Sequence, residues 1–150
     1  MTNEFLRHLL VTMAYRFKKI NEHSGSDFGE YKISPETRTP SEILHHVNFV
    51  IDKTRRVIET QNYDDVFLEK LSYEEEIKRF YNLLEKLDKV LEQKELETKF
   101  CKKLTQGPLS DTLCHIGQIG MLCGLNGNKI PGENYSLANI ETGNIKCHKN

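Results

Sequence analysis

Three residues whose side chains can ligate a metal stand at spacings that two helices would bring together. Asp111 and His115 lie four residues apart in a helix-like segment, so they are expected to share one helix face. His46 belongs to a largely apolar stripe of a second helix-like segment. Two imidazole nitrogens and one carboxylate are competent ligands for Zn²⁺, Ni²⁺ or Fe²⁺. The sequence therefore predicts a site for one divalent metal ion at His46, Asp111 and His115.

Each of the three residues also has an interpretation without a metal. His46 fits a core histidine that is hydrogen-bonded to a neighbour, and His115 fits a satisfied interior or edge histidine. Asp111 follows Pro108 in a first helical turn, where a carboxylate complements the helix dipole and free N–H groups. The metal interpretation depends on the three residues being close together, because short His/Asp pairs on helices are common.

Two neighbouring residues qualify these ligand assignments. Gln118 lies one turn beyond His115, where it either orients a ligand or metal-bound water or serves as a polar side chain between helices. His45 is rotated by about 100° from His46 on a helix and is the alternative ligand if the helical phase is shifted by one residue.

Hydrophobic periodicity and helix-start signals place these residues on helices. Thr39-Pro40-Ser41-Glu42 and Ser72-Tyr73-Glu74-Glu75 both have the pattern of a capping box. Gln106-Gly107-Pro108 is expected to break the chain before the last helix. The predicted helices span about residues 3–21, 40–59, 73–93, 94–104 and 109–122.

These elements indicate an all-α fold, an antiparallel four-helix bundle in a single domain of residues 1–150. A long first connection covers residues 22–38, and an irregular C-terminal tail covers residues 132–150. No segment has a convincing strand pattern. The interior of such a bundle commonly houses metal sites built from facing helices.

Composition excludes several classes of protein. The 150 residues include 21 Lys and Arg against 22 Asp and Glu, which argues against a general nucleic-acid binder. No apolar run approaches the roughly 20 residues of a membrane span, and no signal peptide is evident. The four cysteines lack CxxC spacing and are interpreted as reduced thiols. A cytoplasmic location is therefore expected.

The chain resembles the DinB-like (YfiT-like) superfamily, and specifically an uncharacterised branch of it. The similarity is carried first by the segment Arg38-Thr39-Pro40-Ser41-Glu42-Ile43-Leu44-His45-His46-Val47. It continues in residues 106–122, which include Asp111, His115 and Gln118, and in Gly132-Glu133-Asn134-Tyr135. With the helix order included, the similarity spans nearly the whole chain.

This resemblance implies a four-helix bundle, often dimeric, that binds a divalent metal through three histidines. Carried over by position, the first and last of these histidines are His46 and His115. The middle histidine corresponds to Asp111, which departs from the usual pattern and implies either a two-His-one-carboxylate set or a weakened site. Characterised members include metal-dependent hydrolases and enzymes that activate low-molecular-weight thiols.

Two functional hypotheses follow. The first is a metal-dependent hydrolase or thiol S-transferase that acts on a small molecule, with or without a thiol cofactor. A metal-activated water or thiolate would be its nucleophile. The second is a non-catalytic dimeric bundle that serves as an interaction or ligand-binding module. Under the second hypothesis, His46 is a core histidine and Asp111 a helix-start residue.

Overall fold

The protein is all-helical in the computed structural model, which describes residues 2–146 and leaves Cys147 and His148 outside the described residues. Four long helices and one short helix account for most of these residues, and no strand occurs among them. The predicted all-α helical bundle is confirmed. The helices are α1 (Thr2–His23), α2 (Pro40–Thr60), α3 (Tyr73–Gln93), α4 (Thr98–Leu104) and α5 (Ser110–Leu125).

Both predicted capping boxes are present and fix where α2 and α3 begin. The Thr39 hydroxyl accepts from the Glu42 N–H at 3.2 Å, and the Glu42 carboxylate accepts from the Thr39 N–H at 3.3 Å. Ser72 and Glu75 form the same reciprocal pair at 3.3 and 3.1 Å. Each pair satisfies backbone donors that the first helical turn leaves free.

Contacts at its two ends define the direction of α1. The Asn3 amide donates to the Leu91 carbonyl at 2.9 Å, so the start of α1 lies beside the end of α3. The Cys101 thiol lies 3.7 Å from the Asn3 amide oxygen, and Ile20 packs against Gly120 near the other end of α1. Helix α1 is therefore antiparallel to α3 and parallel to α4 and α5.

Helices α2 and α3 run parallel, which departs from simple up-and-down alternation. His45 and Glu76, near the two helix starts, lie 2.8 Å apart. Lys94, just after α3, donates to the Ile58 carbonyl near the end of α2 at 2.9 Å. The connection of residues 61–72 must therefore return along the bundle, a distance of about 30 Å for helices of this length. Twelve extended residues reach about 40 Å, so the return is feasible.

One connected apolar core lies between the helices. The Phe17 and Phe80 rings meet edge to face with centroids 4.7 Å apart. The C-terminal tail returns to this core through Ile145, which is 2% exposed. None of the helices within residues 2–146 is both long and apolar enough to cross a membrane. Other fully buried side chains include Leu10, Met13, Phe28, Leu44, Ile51, Leu84, Leu87, Leu91 and Ile119.

The predicted break at Gln106-Gly107-Pro108 is wrong, because a π-helical segment carries the chain from α4 into α5. This segment spans Thr105–Leu109, and the residues flanking it keep right-handed helical dihedrals. A wider turn accommodates the proline ring, which would clash with a carbonyl of a regular α-helix. The Ser110 hydroxyl and backbone N–H both bond to the Thr105 carbonyl, so the widened turn remains satisfied.

A buried carboxylate joins α2 to α3. Glu76 is 1% exposed, and its oxygens contact the His45 ring at 2.8 Å and the Asn48 amide at 2.7 Å. Arg79 and the Leu71 N–H complete the set at 3.3 and 3.2 Å. A charge removed from water is tolerated only when it is paired and hydrogen-bonded in this way.

We expect Glu76→Ala to destabilise the protein by about 3–5 kcal/mol, because it removes the buried carboxylate on which His45, Asn48 and Arg79 converge. Chemical denaturation measures this change in the free energy of unfolding. Glu74→Ala, an exposed carboxylate in the same helical turn, is the matched control and should cost less than about 1 kcal/mol. Equal effects of the two substitutions would contradict a structural role for the Glu76 network.

Candidate metal centre

The adjacent histidines of α2 face different helices. His45 contacts Glu76 of α3, whereas the His46 ring lies 4.9 Å, centroid to centroid, from the His115 ring of α5. His46, and not the alternative His45, is therefore the histidine placed beside Asp111 and His115.

The prediction that His46 lies on the buried stripe of α2 needs correction. Its side chain is 35% exposed, so it sits at the edge of the α2–α5 interface and not in the bundle interior. The centre of the buried face is offset by about one residue from the predicted stripe. The most deeply buried residues of that face are Leu44, Val47, Asn48 and Ile51. The core-histidine interpretation of His46 therefore loses its main support, which was complete burial.

The structure brings His46, Asp111 and His115 together, and we refer to them as the His–Asp–His cluster. The two carboxylate oxygens of Asp111 lie 3.5 Å from His46 Nε2 and 3.4 Å from His115 Nε2. One ligating atom from each residue lies within 4.8 Å of the other two. All three side chains are partly exposed, so ions and small molecules in solution can reach them.

Gln118 fixes the orientation of the His115 ring. Its amide oxygen lies 2.8 Å from His115 Nδ1. Because an amide oxygen only accepts hydrogen bonds, this contact suits the tautomer with its proton on Nδ1, which leaves the Nε2 lone pair available to a metal ion. A hydrogen bond to the second ring nitrogen is the usual way in which proteins orient a ligating histidine. The predicted orienting interpretation of Gln118 fits this geometry.

The helix-start interpretation of Asp111 does not fit the structure. The chain is already helical at Leu109, so α5 has no free N-terminus for the carboxylate to cap. Within residues 2–146, the polar contacts of the Asp111 side chain are to His46 and His115 and not to a backbone N–H. The Asp111 carboxylate therefore interacts with the rings of His46 and His115.

The environment of His46 favours its neutral, ligating form. Partial burial lowers its pKa from the ordinary value of 6.5, and the nearby His115 and Arg38 lower the pKa further. Asp111 opposes this shift by stabilising the protonated ring, but burial is the largest effect. A histidine ligates a metal through a deprotonated nitrogen, so a lowered pKa reduces competition from protons.

A groove of about 910 Å³ adjoins the cluster at His46. Its walls are the start of α2, the end of the first connection and residues 66–71 of the second connection. Arg38, Thr39 and His45 line a polar part, while Phe49 and Phe67 contribute apolar surface. A small molecule held in this groove would therefore lie beside His46.

Sequence reasoning missed two residues that shape this region. Glu76 occupies a position on the α3 stripe continued by Phe80 and Leu83, and a carboxylate among core-facing positions was the available signal. Arg38 precedes the helix-start motif, and no sequence pattern set it apart from the other basic residues.

Two of the three cysteines within residues 2–146 are buried, and the third, Cys114, is exposed. Cys101, Cys114 and Cys123 are free thiols. Burial raises the pKa of the Cys101 and Cys123 thiols, which disfavours the nucleophilic thiolate form. The cluster is therefore the main concentration of reactive side chains that can be assembled from the described residues.

A comparison of the chain with known protein families, with curated proteins and with solved structures finds no match in any of the three. The similarity to the DinB-like superfamily consequently stays a prediction that rests on the short motifs around His46 and His115.

We expect the His46 ring of the metal-free protein to titrate with a pKa below 6.5, for the reasons given above. Asp111→Asn should lower this pKa further, because it removes the charge that stabilises the protonated ring. His115→Gln should raise it, because it removes a neighbouring cation. NMR titration of the ring protons measures both shifts. An unchanged His46 pKa in Asp111→Asn would show that the two side chains do not interact in solution.

Proposed function

We propose that the protein binds one divalent metal ion, Zn²⁺, Ni²⁺ or Fe²⁺, through His46, Asp111 and His115, and uses it to transform a small molecule. The reaction type proposed is hydrolysis or transfer of a low-molecular-weight thiol. The observation that carries the proposal is the convergence of two imidazole nitrogens and one carboxylate beside a groove that His46 lines.

The donor set fits a metal ion in both chemistry and spacing. Ligands about 2.0–2.2 Å from a common ion stand about 3–3.5 Å from one another in tetrahedral or octahedral geometry. His46 Nε2 lies 3.5 Å from one carboxylate oxygen of Asp111, and His115 Nε2 lies 3.4 Å from the other, so each imidazole already stands in this range of one oxygen. One ligating atom from each residue lies within 4.8 Å of the other two, and rotation of these partly exposed side chains would bring the three around one ion.

Each of these residues would have a distinct role in binding the metal ion. His46 and His115 supply neutral nitrogens, Asp111 supplies a negative charge, and Gln118 holds the His115 ring in the ligating tautomer. When bound, a divalent ion supplies Lewis acidity towards a water or thiol. Three protein ligands leave coordination positions for other molecules, as catalytic sites require. The groove beside His46 would hold the substrate.

Three further observations agree with this proposal. The π-helical turn at Thr105–Leu109 ends directly before α5, and such turns are often found at functional sites. The motifs that predict a resemblance to DinB-like metalloenzymes fall on the elements that carry the cluster. The substitution of Asp111 for the usual histidine supports a two-His-one-carboxylate set, which agrees with the contacts that its carboxylate makes.

One observation favours the second candidate, a dimeric interaction or ligand-binding module. The outer face of α5 is unusually apolar, with Met121 70% exposed and Leu125 52% exposed. Contiguous exposed apolar residues often mark a protein interface. The homodimer stays a prediction under either candidate function. Light scattering of wild type and Met121→Glu would test whether this face of α5 forms a dimer interface.

We expect untagged protein to bind close to one equivalent of zinc, nickel or iron, measured by elemental analysis after purification or incubation with each ion. His46→Ala should lose the metal, because a site left with one imidazole and one carboxylate binds far more weakly. Asp111→Ala should also reduce the metal content, while the stability of the metal-free protein stays nearly unchanged.

His45→Ala is the matched control, since it removes the neighbouring imidazole without touching the cluster, and it should keep the metal wherever the protein remains folded. Metal-free wild type after incubation with every ion would overturn the proposal. Loss of metal in His45→Ala together with retention of metal in His46→Ala would instead place the metal site at His45 and Glu76.

A further inference from the structure

Arg38 differs from every other arginine in the molecule. It lies in the wall of the groove and is exposed to solvent, and within residues 2–146 it has neither an ion pair nor a hydrogen bond. Each of the other arginines has a partner within the protein. The pairs are Arg7 with Asp88, Arg16 with the Tyr135 ring, Arg55 and Arg56 with Asp52, and Arg79 with Glu76.

None of the acidic residues that line the groove neutralises the charge of Arg38 through an ion pair. Glu42 accepts from the Thr39 N–H in the capping box, and Glu76 is surrounded by its own partners. Glu30 also lines the groove but lies beyond ion-pair distance of the guanidinium. An exposed guanidinium with no local partner is free to bind a carboxylate or phosphate, which it can hold with two parallel hydrogen bonds.

A second part of the groove lining is apolar. Phe67 is 90% exposed, and Val66, Leu68 and Leu71 lie beside it on the same connection. Phe49 adds a second aromatic ring from α2. A molecule in this groove would thus meet both a cationic group and apolar surface.

From this arrangement we infer that the groove binds a small organic anion, with Arg38 holding its carboxylate or phosphate and Phe67 covering its apolar part. The inference rests on the proposed function in one respect, because it identifies this anion as the substrate presented to the His–Asp–His cluster. Arg38 and His46 line the same groove, so a molecule anchored at Arg38 lies next to the ligating imidazole.

The charges near the cluster support an anionic ligand. A divalent ion held by the single carboxylate of Asp111 would leave an excess of positive charge, and Arg38 would add to it. An anion between Arg38 and the cluster would relieve both positive charges.

The test compares three probes of similar shape, namely phenylacetate, phenyl phosphate and the neutral phenylacetamide. Each is titrated into EDTA-treated protein, and binding is followed by NMR chemical-shift changes of groove residues. We expect at least one anion to bind about tenfold or more tightly than the amide. Arg38→Gln should abolish that preference, and the tighter of the two anions assigns the head group.

Two further variants make the result specific. Lys70→Gln removes another cation that lines the groove and should leave the preference intact. Phe67→Ala should weaken the binding of phenylacetate without weakening that of acetate, and it should leave the fold intact because Phe67 is 90% exposed. Equal binding of anions and amide, an unchanged preference in Arg38→Gln, or an equal loss in Lys70→Gln would overturn the inference.

The metal proposal is tested separately from this one. His46→Ala, which is expected to lose metal, should keep its Arg38-dependent anion binding because the titrations use metal-free protein. Anion binding without any metal affinity would leave the groove assignment standing and the metal proposal refuted. Metal binding without a preference for anions would leave the metal proposal standing and refute the groove assignment.

Discussion

The buried carboxylate of Glu76 sets the rotation of α2, and the candidate site depends on that rotation. Its bonds to His45 and Asn48 hold two neighbouring positions of α2 against α3. Successive residues of a helix differ by about 100° in direction, so fixing His45 towards α3 directs His46 towards α5. A buried charge with four partners resists sliding or rolling of the helix, because any such motion would leave the charge unpaired.

The second constraint is the continuity of the chain from α4 into α5. The π-helical turn lets the helix pass Pro108 without a break, and α4 holds the preceding turns against the start of α1 through Cys101. The direction of Asp111 and His115 is thereby set by a helix much longer than α5 alone. A loop before Ser110 would have left the first turn of α5 free to fray, and Asp111 lies in that turn.

Much of this fold could be predicted from the sequence because its signals are local. The capping boxes at Thr39 and Ser72 fixed two helix starts, and the spacing of Asp111 and His115 predicted their shared face. The parallel arrangement of α2 and α3 could not be predicted, because it depends on how the connection of residues 61–72 crosses the bundle. The helical passage through Pro108 was also missed, since the local propensity of Gly-Pro favours a break.

The candidate site shows the same division. The identities of His46, Asp111, His115 and Gln118 follow from side-chain chemistry and helical spacing. The partial exposure of His46 does not, because a phase difference of one residue separates the centre of a buried face from its edge. The special position of Arg38 is likewise invisible in the sequence, because an unpaired arginine can be recognised only once the partners of the other arginines are known.

The central claim is that the His–Asp–His cluster is a metal site. A crystal structure of zinc-soaked protein, with anomalous data collected at the zinc edge, tests this claim most directly. The account predicts an anomalous peak about 2.0–2.2 Å from Nε2 of His46, Nε2 of His115 and a carboxylate oxygen of Asp111. The absence of a peak at this position, or a peak between His45 and Glu76 in its place, would contradict it.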